Sequence, residues 1–134
     1  MPTIDPCTLD TYVVACGFLG DTAVFALGDG RVVIRDGAET RTVAAHDGGL
    51  LAARFTDDGR ALLSSGDDGR VVRTTADGTG ETLFDKPGKW LDQLAEGPQG
   101  AIACAAGRMA WVRLTGGEIV EFPHEKSVGG VGFL

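Results

Sequence analysis

A chain of 134 residues has room for one domain with a real core and too little for two. Its 43% hydrophobic and 23% charged residues describe a folded globular protein and exclude a disordered one. The net charge of −7, with no cluster of lysines or arginines, argues against nucleic acid as a partner, because such binders draw affinity from paired phosphates.

The N-terminal segment, residues 1–11, lacks the positive start and apolar stretch of a secretory signal. No apolar run reaches the length of about 18 residues that spans a membrane, so no membrane contact is expected. From residue 12 to residue 134 the chain reads as a single all-β domain. Its 21 glycines are scattered between short apolar runs, which marks them as turn residues. A first unit, 12–45, contains predicted strands at 12–17, 22–27, 31–35 and 40–44. A second, 50–85, contains strands at 50–55, 60–65, 70–75 and 81–85. A third, 90–122, contains strands at 90–95, 101–105, 109–114 and 118–122. A further strand, 128–134, opens a fourth unit. The stretch Lys89 to Glu96 also carries helix-like apolar spacing, but its alignment with Leu50 to Phe55 assigns it to a strand.

The units are copies. Phe18 and Phe55 are 37 residues apart, and Asp29-Gly30-Arg31-Val32-Val33 recurs 39 residues later as Asp68-Gly69-Arg70-Val71-Val72. His46 and His124 each stand nine residues before a phenylalanine, and Arg73 and Arg113 differ by 40. A period near 39 residues is that of stacked supersecondary units. Asp57-Asp58-Gly59-Arg60 and Asp67-Asp68-Gly69-Arg70 are then the two ends of one strand, because Asp-Gly supplies the positive φ of tight turns. The near-continuous apolar runs suit sheets covered on both faces by neighbouring sheets.

This order of histidine, strand serine and Asp-Gly turn resembles the WD40 family of β-propellers over almost the whole chain. The resemblance implies a propeller-like array of four-stranded antiparallel blades. It also implies a buried network, carried by His46, Ser65 and Asp68, with His124 equivalent to His46 two repeats later. No Trp-Asp pair occurs: Arg35-Asp36 and Thr74-Thr75 stand in its place, and the third unit has Ala106-Gly107-Arg108 for its turn. Three blades and one strand do not close a ring of about four to eight. Truncation of a longer sequence is the expected reason, with missing blades from another chain as the alternative. Open blade edges lead to an expectation of self-association.

Little else in the sequence points to chemistry. Cys7, Cys16 and Cys104 lack metal-ligand spacing, and Cys16 and Cys104 read as small buried residues, free thiols of a reducing cytoplasm. The six Asp-Gly pairs include no calcium loop, and no phosphate loop, dinucleotide fingerprint or nucleophile elbow is present. The expected function is a noncatalytic scaffold that binds another protein through one rim, without metal or cofactor. The alternative is a propeller enzyme or small-ligand binder with its site in the central channel of a complete ring.

Overall fold

A computed structural model describes residues 9–134. It contains three four-stranded antiparallel sheets, each a simple meander. The first is β1 (Val13–Leu19), β2 (Thr22–Leu27), β3 (Arg31–Asp36) and β4 (Glu39–Ala44). The second is β5 (Leu50–Phe55), β6 (Ala61–Gly66), β7 (Arg70–Thr75) and β8 (Gly80–Asp85). The third is β9 (Gln93–Glu96), β10 (Ile102–Ala106), β11 (Met109–Arg113) and β12 (Ile119–Pro123). The only helical element among the described residues is a single 3-10 turn at Pro98–Gly100. No helix there is long and apolar enough to cross a membrane.

The sheets are blade-like and stack in sequence order. Their first strands, β1, β5 and β9, lie beside one another, while the fourth strands form the exposed outer margin. Alternation along the middle strands sends successive side chains into different interfaces. In β6, Leu62 joins Val24, Ala26, Val32 and Ile34 between the first two sheets. Its neighbour Leu63 joins Val71, Ile102, Cys104 and Trp111 between the second and third. All six residues of β6 are buried, which is why its sequence shows no polar alternation. Each fully buried Leu or Val here contributes about 1.5–3 kcal/mol relative to exposure.

Short backbone bonds repeat at every junction. The N–H groups of His46, Lys86 and His124 donate to the carbonyls of Gly30, Gly69 and Arg108, at 3.0, 2.7 and 2.8 Å. A second series runs from Leu50, Leu91 and Val128 to Gly28, Gly66 and Gly107, at 3.2, 3.1 and 2.7 Å. Matching bulges interrupt β1 between Val13 and Ala15 and β5 between Leu50 and Ala52.

The turn carboxylates act locally. Asp29, Asp58 and Asp68 accept the N–H of Arg31, Arg60 and Arg70, at 3.2, 3.0 and 3.1 Å. Each repeated tetrapeptide is therefore an aspartate-capped turn leading into a strand.

Two expected strands differ. The strand expected from Trp90 begins at Gln93, because Leu91 N–H is committed to Gly66 and holds the preceding residues in the junction. The expected strand at 128–134 is not formed, since among the described residues no neighbouring strand supplies its ladder. The Cys16 thiol is exposed rather than buried, because among the described residues no sheet covers the outer face of the first sheet.

Gly69 combines φ of +79° with a position where a Cβ would come 2.0 Å from the Lys86 carbonyl oxygen. Gly59 has φ of +70° but open space around it. Gly69→Ala is expected to destabilise the chain by more than about 2 kcal/mol in urea unfolding, and Gly59→Ala by about 1 kcal/mol, the left-handed conformation alone. Equal losses would remove the junction contact as the cause.

Candidate functional site

The most concentrated polar chemistry in the chain lies at the junction of the first two sheets. His46 leaves the linker after β4 and enters the second sheet, its side chain wholly buried. Its Nδ1 lies 3.0 Å from Asp68 Oδ1 and its Nε2 2.8 Å from Ser64 Oγ. An ionised carboxylate only accepts, so Nδ1 carries the proton and donates to Asp68. In the neutral ring Nε2 then accepts the Ser64 hydroxyl. Asp68 also accepts the N–H groups of Asp47 and Arg70, at 3.0 and 3.1 Å. The adjacent Asp67 accepts Gly49 N–H at 2.9 Å, so two successive carboxylates clamp the linker.

The serine in this network is Ser64, not the expected Ser65. The reason is parity. Ser64 shares the Leu62 face toward the first sheet, from which the His46 linker arrives, whereas Ser65 points the other way. Ser65 Oγ is buried without a hydrogen-bond partner among the described residues. Because both faces of β6 are buried, hydropathy alone could not choose between the two serines.

Serine, histidine and aspartate in this order form the hydrogen-bond chain that hydrolases use to activate a nucleophile. Here Ser64 has no solvent exposure, so no substrate carbonyl can reach its oxygen. What the arrangement does is tie a linker to a turn. Burial works against the Asp68 carboxylate, but the bonds from His46, Asp47 and Arg70 outweigh it and hold its pKa below the usual value.

The next junction replaces this network with different chemistry. Lys86 occupies the linker place of His46, and Cys104 lies 40 residues after Ser64. The Lys86 ammonium stands 5.7 Å from the centre of the Trp111 ring, whose Nε1–H donates to Glu121 at 3.3 Å. Burial pushes the Cys104 thiol up to about 12, with Lys86 acting weakly in the opposite sense. His124 stands at the third linker place and is exposed. The structure thus brings His46 and Asp68 together and leaves Ser65 and His124 outside. Cys7 lies outside the described residues. Among the described residues no three His, Cys, Asp or Glu side chains converge as a metal cage.

The sequence reading missed Trp90. Its indole is 69% exposed on the rim that carries the linkers, beside a cleft of about 530 Å³. Lys89, Arg108, Met109 and His124 line the same cleft, and no acidic side chain does. An unpaired tryptophan next to a Pro-Gly turn, Pro87-Gly88, was the available signal.

Ser64→Ala is expected to cost about 1–3 kcal/mol, because Nε2 of His46 loses its buried partner. Ser65→Ala removes an unpaired hydroxyl and is expected to be neutral or stabilising. Chemical denaturation of the two variants checks the assignment, which fails if their order is reversed.

The depressed Asp68 pKa sets a pH window. Its stabilising contribution is present above the unfolded value of 3.8 and disappears as pH falls through the lower folded value. Wild type should therefore lose stability below about pH 4 more steeply than Asp68→Asn, measured as urea midpoints between about pH 5 and pH 2. Parallel curves would exclude Asp68 as a source of the acid sensitivity.

No protein-family model matches the chain, and no curated protein matches it. Among solved structures it is similar to the computationally designed Ika4 protein, with a TM-score of 0.74 at 20% identity over 95% of this chain and 82% of that one. It is also similar to the computationally designed Ika8 protein, with a TM-score of 0.75 at 20% identity over 94% of this chain and 41% of that one. At this identity the likeness concerns the fold.

Proposed function

We propose that the chain is a run of WD40-like propeller blades serving as a noncatalytic scaffold, which binds another protein through the rim carrying Trp90. The exposed tryptophan carries this reading. Tryptophan, tyrosine and arginine are the side chains most enriched among the anchors of protein interfaces. Trp90 is held in place by the Lys89 N–H bond to the Lys86 carbonyl and by the fully buried Leu91 beside it. A rigid anchor loses little entropy on binding.

The cleft also departs from the charge of the whole molecule. Lys89 and Arg108 line it, in a chain of net charge −7. The complementary partner is an extended protein segment with one apolar anchor flanked by carboxylates. The contact with Trp90 supplies affinity, and the cations supply orientation and on-rate. The accessible Cys16 and buried Cys104, both free thiols, support residence in a reducing compartment such as the cytoplasm.

Selection from a random peptide display library provides the test. Wild-type protein is expected to enrich sequences with Asp or Glu around a Leu, Phe or Met. Their affinity should drop at least about tenfold for Trp90→Ala, and raised salt should slow their association. Binding that survives Trp90→Ala, or enrichment of basic peptides, would overturn the assignment.

A further inference from the structure

The tail after β12 copies β1. Val128-Gly129-Gly130-Val131-Gly132-Phe133-Leu134 matches Val13-Val14-Ala15-Cys16-Gly17-Phe18-Leu19 at the first valine and at the closing Gly-Phe-Leu. It also sits where a first strand belongs. Val128 N–H takes the Gly107 carbonyl, as Leu50 and Leu91 take those of Gly28 and Gly66. The Phe133 ring lies against Gly97, just past the end of β9, much as the Phe55 ring lies against Gly17 near the end of β1.

Among the described residues this segment has no strand beside it. Gly17 is a glycine because a Cβ there would come 2.6 Å from the Phe55 ring of the next sheet. Gly132 holds the same place in the copied sequence, with nothing within 4 Å.

The two ends of the stack are complementary through the repeat itself. On the second sheet, Ala53, Phe55 and Leu62 pack toward the first. By strand pairing, Cys16, Phe18 and Ala23 hold those places on the first sheet, where Phe18 is 68% exposed. Val24, Val32 and Ile34 receive the second sheet, and Ala103, Ala110 and Val112 hold their places on the third. One chain therefore carries both halves of the junction. The polar groups correspond as well. His124 holds the linker place of His46, and Asp29 caps its turn as Asp68 does.

We propose that a second copy of this chain docks its first sheet on the outer face of the third sheet, with His124 of each copy facing Asp29 of the other. Two copies related in this way close a ring of six sheets, within the range of about four to eight that closed propellers use. In the free chain the tail occupies the place that the incoming β1 takes. Of the two segments the tail gives way, since β1 is paired with β2 along its length, whereas among the described residues 128–134 has no such ladder and meets the body of the chain at the Val128 bond and the Phe133 ring. His124 also borders the Trp90 cleft, but the docking of sheet on sheet is argued without the partner assigned to that cleft.

Sedimentation velocity of the full chain at about 1 to 200 µM is expected to show a monomer–dimer equilibrium that stops at the dimer. Phe18→Lys on the first sheet and Phe122→Lys on the third, where Phe122 stands opposite Ala110 in the strand pairing, alter side chains that are 68% and 46% exposed, so each variant should keep the wild-type circular dichroism. Each should weaken the dimer at least about tenfold, and an equimolar mixture should associate more tightly than either alone, because it restores one intact junction. Phe133→Ala should tighten the dimer by loosening the tail. A chain that stays monomeric both as wild type and as Phe133→Ala overturns the proposal, as does assembly indifferent to both lysines. Growth beyond the dimer overturns ring closure. A weaker dimer in Phe133→Ala overturns the displacement of the tail.

Discussion

Every sheet in this protein has two apolar faces and only four short strands, so none can keep both faces from water without a neighbour. That constraint organises the molecule. The second sheet, covered on both sides, contains the wholly buried β6. The outer margins, β4 and β12, are largely exposed because no described strand lies beyond them. The constraint also accounts for the repeated backbone bonds: a linker that crosses from one sheet to the next must satisfy its N–H groups at a buried corner, and turn carbonyls of the preceding strand pair are the nearest acceptors.

The two complete junctions share this backbone scheme and differ in their side chains. Between the first and second sheets a histidine is fixed by a carboxylate and a hydroxyl. One junction later a lysine stands over an indole, and a cysteine occupies the serine's place. The two solutions have different physics. The first depends on directional hydrogen bonds and on an ionised aspartate. The second relies on the quadrupole of a ring and on apolar packing around a thiol. That both are accommodated indicates that the backbone bonds and the apolar faces set the stacking, while the polar side chains lock individual corners.

The Ser64–His46–Asp68 chain illustrates how burial decides what one constellation can do. Hydrogen-bond distances alone would suit a nucleophile and its base. With the serine oxygen enclosed between sheets, the same bonds become a fastening between a linker and a turn. The carboxylate contributes because it is charged and well bonded, which makes it the acid-sensitive element of the corner.

The strands, their antiparallel order and the period of about 39 residues were legible in the sequence, because turns are written locally. Asp-Gly placed the hairpins, and the apolar runs between them had the length of strands: 22–27, 50–55 and 70–75 are as expected. His46 and Asp68 were legible for the same reason, since one precedes a strand and the other caps a turn. The choice of Ser64 over Ser65 depended on which neighbouring sheet covers each face of β6, a property of the stack rather than of six residues. The exposure of Trp90 and Cys16, and the unpaired state of 128–134, were likewise decided by which surfaces meet. Local chemistry determined the pieces, and the packing of one apolar face on the next determined which side chains meet inside and which remain at the surface.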